Sequence, residues 1–347
     1  MTSGGRIGSH MSVAGGAAIA FERGRSVGCE SMQIFTRSPN QWASKPLGEA
    51  DVARFRAERE RREIFPVIVH GSYLMNLAAP PGPVRDRSEG AFADEIARAE
   101  ALSCDALVFH PGAHLGEGTE TGVARVAAAV RRALERAPNA RVRILIENTA
   151  GQGSCLGARF EELRALLDGI GDPERVGICL DTCHLFAAGY DLSTRAAYAA
   201  TMAEFDRVVG LRRVGAWHLN DSKKPLASRI DRHEHIGKGL IGEEGFAALL
   251  ADARFAGRAL VLETEKGDDG RAWDVRNLAL LRRLRGEAVT VPRAPARAEA
   301  KAKTAAKKKK PTTTRTRGPA RKTTTAKPAR ALPSGAAAPR RRRRSST

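Results

Sequence analysis

At 347 residues the chain is long enough for one large domain or two ordinary ones, and its 42% hydrophobic content is normal for a globular protein. Its net charge of +19 is unusual, and the excess is local: residues 293–347 hold 19 of the 58 Lys and Arg against one acid, Glu299, leaving 39 bases and 38 acids elsewhere. No apolar run is long enough to span a bilayer, and no charged-then-apolar leader opens the chain, so neither a membrane anchor nor secretion is expected.

Short apolar runs rich in β-branched residues recur along the chain, at Ile7–Met11, Met32–Thr36, Pro66–His70, Ala106–His110, Arg143–Glu147, Val176–Asp181, Val214–Leu219 and Ala259–Glu263. Between them lie stretches of helical period, among them Asp51–Glu63, Gly90–Ala101, Thr121–Ala137, Arg159–Gly169, Ala196–Val209 and Gly245–Ala251. Continuous apolar runs suit strands buried on both faces of a parallel sheet, and their alternation with helices implies βαβ units. Eight such units predict an α/β (β/α)8 TIM barrel over residues 1–286. Period alone does not decide closure, and a doubly wound open sheet would show the same alternation.

Residues 287–347 form a second region, dominated from Arg293 by Ala, Lys, Arg, Thr and Pro, with the clusters Lys307–Lys310 and Arg340–Arg344. So little apolar surface cannot offset the entropy of ordering, and a disordered tail is expected. Clustered cations gain by releasing counterions from nucleic acid, so non-specific contact with the DNA backbone is the expected role. The five cysteines (Cys29, Cys104, Cys155, Cys179 and Cys183) are scattered and odd in number. They read as reduced thiols; Cys179 and Cys183 have no second pair to complete a metal site and read as strand and turn residues.

The polar residues fall where the apolar strands give out. The third run ends in His70, the fourth in His110, the fifth in Glu147, the sixth in Asp181 with His184 after it, and the eighth in Glu263. The seventh contains His218, and Asp231 and His233 follow in the next loop. A strand-end His taken singly is more often a hydrogen-bonded structural residue, and a lone Asp or Glu a helix cap. Six of eight strands ending in a metal-capable group is a different observation, because in a barrel those ends converge on one face. His10 closes the first strand without an acidic partner nearby in sequence, and His114 and His235 lie in loops, where they read as structural or as supports behind the ligands. Imidazole with carboxylate suits zinc, manganese or iron better than magnesium. The nine groups are too many for one tetrahedral ion and fit two or three metals sharing a carboxylate, an arrangement that serves displacement at phosphorus.

These residues lie in segments that closely resemble the endonuclease IV family of abasic-site endonucleases: I-G-S-H-M-S-V-A-G-G (7–16), H-G-S-Y-L-M-N-L (70–77), H-P-G-A-H-L (110–115), I-E-N-T-A-G-Q-G (146–153), L-D-T-C-H-L-F-A-A-G-Y-D (180–191), H-L-N-D-S-K (218–223), S-R-I-D-R-H-E-H-I-G (228–237) and L-E-T (262–264). The resemblance runs from about Ile7 to Leu284. It implies three zinc ions, with Mn2+ or Fe2+ possible in part. His70, His110 and Glu147 would hold the first; Glu147 would bridge to a second held by Asp181, His218 and Glu263; His184, Asp231 and His233 would hold the third. Glu147 is thereby the expected catalytic residue. The implied reaction is attack of a hydroxide on the phosphate 5′ to an abasic site in double-stranded DNA, leaving a 3′-hydroxyl and a 5′-deoxyribose phosphate, with removal of 3′-blocking groups alongside. Tyr73 and Leu74 match the family's wedge into the duplex. Asn40 stands where family members often carry an intercalating Arg, and nearby Arg37 is expected to supply that cation. A monomer is expected, cytoplasmic and nucleoid-associated, or nuclear in a eukaryote. Two rival readings remain at this point, a metal-dependent sugar isomerase or epimerase on the same barrel and a non-enzymatic DNA-compacting protein.

Overall fold

The strands come where the apolar runs place them: β1 (Arg6–His10), β2 (Ser31–Ile34), β3 (Val67–His70), β4 (Ala106–Phe109), β5 (Arg143–Glu147), β6 (Val176–Asp181), β7 (Val214–His218) and, after a small hairpin of β8 (Asp221–Ser222) and β9 (His233–Glu234), β10 (Ala259–Leu262). A computed structural model of the chain describes residues 4–288. The basic tail expected from residue 287 lies outside the described residues but for its first two. All eight long strands are parallel and close in the order β1-β10-β7-β6-β5-β4-β3-β2, which removes the open-sheet alternative. Among the described residues no helix is long and apolar enough to cross a membrane.

Helices α1 (Ile19–Val27), α2 (Glu49–Glu60), α3 (Pro83–Ala101), α4 (Thr119–Arg136), α5 (Phe160–Ile170), α6 (Thr182–Ala188), α7 (Arg195–Val208), α8 (Gly242–Leu250) and α9 (Ala272–Leu284) complete the barrel. Three were not anticipated: α1, α6 and α9. The first two are short, and α1 carries a glycine in its middle, so neither shows a long apolar stripe. Helix α3 starts seven residues before the expected Gly90, because Pro83 at its first turn has a φ already suited to a helix and lacks only an amide that would be unpaired there.

Side chains of a strand alternate between two faces, and this alternation sets both core and site. In β5, Ile144 and Ile146 join the large core between strands and helices, whereas Leu145 joins a small cluster inside the barrel with Ile68, Ala106, Val108, Cys179, Ala216, Ala259 and Val261. Arg143 and Glu147 share the face of Leu145, one below it and one above. The same parity carries Ile68 to His70, Val108 to His110, Cys179 to Asp181, Ala216 to His218 and Val261 to Glu263. These six metal-capable groups are thus the topmost inward residues of their strands, or the residue just past the strand for His110 and Glu263, above an apolar plug in the lumen.

Candidate metal centre

The inward residues meet at the C-terminal mouth of the barrel. His70, His110 and Glu147 offer donor atoms that lie within 4.8 Å of one another; so do Glu147, Asp181, His218 and Glu263, and so do His184, Asp231 and His233. All nine side chains named from the sequence are brought together, and Glu147, fully buried, belongs to two groups. Cys183, set aside as a turn residue, lies in the first turn of α6 and forms a further such group with Asp181 and His233. Burial pushes its thiol up to about 12, which disfavours the thiolate a metal would need.

Hydrogen bonds behind the imidazoles fix which nitrogen faces inward. His70 Nδ1 lies 2.7 Å from the Gly71 carbonyl and His184 Nδ1 lies 2.9 Å from the Asn148 carbonyl, and a carbonyl only accepts, so both nitrogens carry hydrogen. Their Nε2 atoms then point at carboxylates, 3.1 Å from Glu147 and 3.2 Å from Asp231. His218 is reversed: Nε2 donates to Gln33 Oε1 at 2.8 Å, and Nδ1 lies 2.9 Å from Glu147 and 3.2 Å from Glu263. A ring nitrogen this close to carboxylate oxygens carries either a proton or a metal ion between them, and a metal ion takes the proton's place. His233 adds a buried Nε2 with no hydrogen-bond partner, 3.2 Å from Asp231. The donor set therefore fits divalent metal ions, with each ligand nitrogen turned inward by a bond on its far side.

Titration of these groups follows the same logic. Burial pulls His184 down, but Asp181, Asp231 and Glu147 outweigh it and hold the imidazole well above its usual range. Burial likewise opposes ionisation of Glu147, and the surrounding imidazoles of His110, His218 and His184 reverse the balance and hold its carboxyl well below normal. His110, with only a 3.5 Å approach to Glu147, is governed by burial and falls to about 4, so it stays neutral and ready to ligate.

Loops deliver the remaining members. Asp181 is the N-cap of α6 and accepts the His184 amide at 2.8 Å, which sets the two side by side. Asp231 and His233 reach the mouth because β9 pairs antiparallel with β8, Ser222 opposite His233. That loop is tied by Asp221, whose buried carboxylate accepts amides from Ser222 (2.8 Å), Gly237 (3.0 Å), Gly239 (3.1 Å) and Ile241 (2.9 Å). A Cβ at residue 239 would come within 2.5 Å of Asp221 Oδ1, so glycine is required there.

Sequence reasoning missed the residues that act from behind. Gln33 is fully buried and, besides holding His218, donates to Glu263 at 2.6 Å and to His10 Nδ1 at 3.1 Å. Asn220 donates to Asp181 at 2.6 Å and accepts the Glu263 amide at 3.0 Å. A polar residue at an inward position of β2 was the available signal for Gln33. His114 accepts the Gly118 amide at 3.0 Å, and His235 stacks on Trp273 at 3.8 Å.

Tyr73 stands beside this mouth, 57% exposed, its ring 5.4 Å from that of His70 and 5.5 Å from that of Phe35. With Leu74 it borders a cavity of about 310 Å3 that His110, His184, Asp231 and Gln152 also line. Asn40 is exposed on the neighbouring loop, which Ser72 joins by donating to the Pro39 carbonyl at 2.7 Å. Arg37 requires a correction. Its guanidinium is buried, paired with Asp94 at 3.0 Å and bonded to the carbonyls of Gln41 and Trp42, so it braces the loop from within and presents no cation to a partner.

Residues 21–284 match the family model described as xylose isomerase-like TIM barrel. A protein of Chloroflexus aurantiacus named "Probable endonuclease 4" is 53% identical over 279 residues, 80% of this chain and 98% of that protein. Its namesake in Geobacter sulfurreducens is 49% identical over 278 residues, 80% and 94% of the two chains. Among solved structures, endonuclease IV from Thermus thermophilus superposes with a TM-score of 0.72 at 39% identity, covering 82% of this chain and all of that one. A D-psicose 3-epimerase superposes with a TM-score of 0.61 at 15% identity, covering 81% and 99%, a likeness of fold alone.

Proposed function

This chain belongs to the endonuclease IV family, and from that premise we propose that it repairs DNA by hydrolysing the phosphodiester 5′ to abasic sites in a duplex. The observation that carries the reading is Glu147, buried at the barrel mouth and common to two of the four donor groups. Three ions, mainly zinc, are proposed, held by His70, His110 and Glu147; by Glu147, Asp181, His218 and Glu263; and by His184, Asp231 and His233. Bound, they would supply activated water and neutralise the charge that develops on the phosphate oxygens.

The chain's own residues do the rest. Gln33 and the carbonyls of Gly71 and Asn148 keep the ligand nitrogens turned inward. The cavity beside Tyr73 and Leu74 is at the small end of ligand pockets and suits a nucleotide that lacks its base. Tyr73, exposed at its rim, would fill the gap left in the base stack, with Leu74 lining the same cavity and Asn40 on the adjoining loop. The same site would trim blocking esters from 3′ ends. Residues 287–347, as a separate basic region, would add non-specific hold on the duplex, and a monomer acting at the nucleoid fits this reading. The epimerase alternative is supported by fold likeness only.

A duplex bearing one synthetic abasic site tests the proposal. We expect cleavage on its 5′ side to a 3′-hydroxyl, release of 3′-phosphoglycolate from nicked duplex, and no cutting of intact DNA. Epimerisation of a ketose without DNA cleavage would refute it.

A further inference from the structure

A cavity of about 990 Å3 opens at the opposite end of the barrel, where the strands begin. Five arginines line it (Arg56, Arg59, Arg141, Arg143 and Arg258) against two acids, Glu100 and Asp105. Both acids are already engaged. Asp105 pairs with Arg59 and accepts the Val67 amide at 2.8 Å, and Glu100 accepts the amides of Arg141 and Val142 at 2.8 and 3.1 Å. Among the described residues no carboxylate forms an ion pair with Arg141, Arg143 or Arg258.

Arg143 is the centre of the group. It opens β5 on the lumen side, beneath Leu145, and its Nε is buried with no hydrogen-bond partner. A Cβ at residue 177 would come within 2.6 Å of the Arg213 carbonyl and 2.9 Å of Arg143 Nη2, so Gly177 is required first by the Arg213 backbone and also leaves the guanidinium its room. Burial, and then the neighbouring charge of Arg258, push its pKa down, with Arg213 adding to the push and Glu174 only partly offsetting it. A guanidinium held in this way gains from an anion that completes its fork, and phosphate does so bidentately. The excess of arginines over free acids calls for a ligand of more than one negative charge. Phe65 and Ile68 add an apolar wall, and the recess of Arg143 favours a small molecule over the convex backbone of a duplex.

We propose that the N-terminal mouth of the barrel binds a phosphate-bearing small molecule of nucleotide size, with Arg143 and Arg258 on the phosphates and Phe65 and Ile68 against the organic part. The site is separated from the proposed catalytic mouth by the apolar plug and works independently of it.

Calorimetric titration of the full-length chain with ADP, pyrophosphate and adenosine tests this. ADP should bind saturably, pyrophosphate more weakly and adenosine not at all. Arg143→Gln should weaken ADP at least tenfold while melting no lower than the parent, since it removes an unpaired charge; Arg258→Gln should weaken it too. Metal ligands and basic tail are intact in both variants, so ADP binding unchanged by either places the ligand elsewhere and overturns the proposal. No ADP binding by the parent, or displacement of ADP by intact duplex through Arg143, would also overturn it.

Discussion

Replacing Gln33 by methionine keeps the volume of a fully buried side chain while removing its three hydrogen bonds. His218 Nε2 loses the acceptor that fixes its hydrogen, and Glu263 loses a 2.6 Å donor. Leaving a buried group unsatisfied costs about 1–3 kcal/mol. In the cation-free chain that cost falls on folding. With metal bound it appears as lost affinity, because His218 is then free to turn its hydrogen toward Glu147 and Glu263. Partners that hold metal-ligating histidines are worth roughly 10–100-fold in affinity, or about 1.4–2.7 kcal/mol. Competition against a chromophoric chelator, with metal per chain counted by mass spectrometry, should show one ion loosened by that factor and the others held. Equal retention of every ion by Gln33→Met and parent would refute the argument that this amide positions His218.

Glu147→Gln should keep the fold, lower the metal content, and cost several orders of magnitude in abasic-site cleavage; near-parental rates would remove Glu147 from its central place. Tyr73→Ala and Leu74→Ala should weaken abasic duplex more than intact duplex, since unstacking costs a few kcal/mol per step and the filler is gone; equal losses on both would show that neither reads the lesion. Asn40→Arg should tighten abasic binding, and a flat response would place that loop away from the break. Removing residues 287–347 should leave metal content and short-substrate turnover intact while flattening the plot of log affinity against log salt by about 0.9 for each tail cation engaged; parallel plots would show that the tail does not hold DNA. Because His184 keeps its proton well above the usual imidazole range, metal must displace that proton near neutral pH. Affinity should therefore rise with pH until the raised pKa is passed, and calorimetry in buffers of different ionisation enthalpy should show net proton release; none, or uptake, contradicts it.

What the sequence revealed and what it hid divide along a physical line. The strand ends were legible because burial on both faces writes a continuous apolar run, and the polar residue that ends it, as in R-I-L-I-E, marks the mouth of the barrel. Period two then places Glu147 inward without reference to any other part of the chain. Gln33 and Asn220 were hidden because their roles exist only between strands: Gln33 on β2 meets His218 on β7, far apart in sequence and neighbours only across the lumen. Arg37 misled for the same reason. A cation in a loop reads as exposed, and only the tertiary contact with Asp94 turns it inward. The unpaired Arg143 was overlooked because, at a strand's start, an arginine looks like ordinary surface.

The loop between β7 and α8 has one more consequence, through Asp221. Its carboxylate grips backbone amides alone, so the hub is indifferent to most side chains it organises and exacting only where a Cβ would intrude, as at Gly239. Residues 224–227, between the two segments that carry the family resemblance, are therefore the part of this loop whose side chains can change while the hairpin still delivers Asp231 and His233 to the same place. In evolutionary terms the loop is a replaceable cartridge in a fixed socket, and its outer surface is where members of such a family can diversify at least cost to the chemistry within.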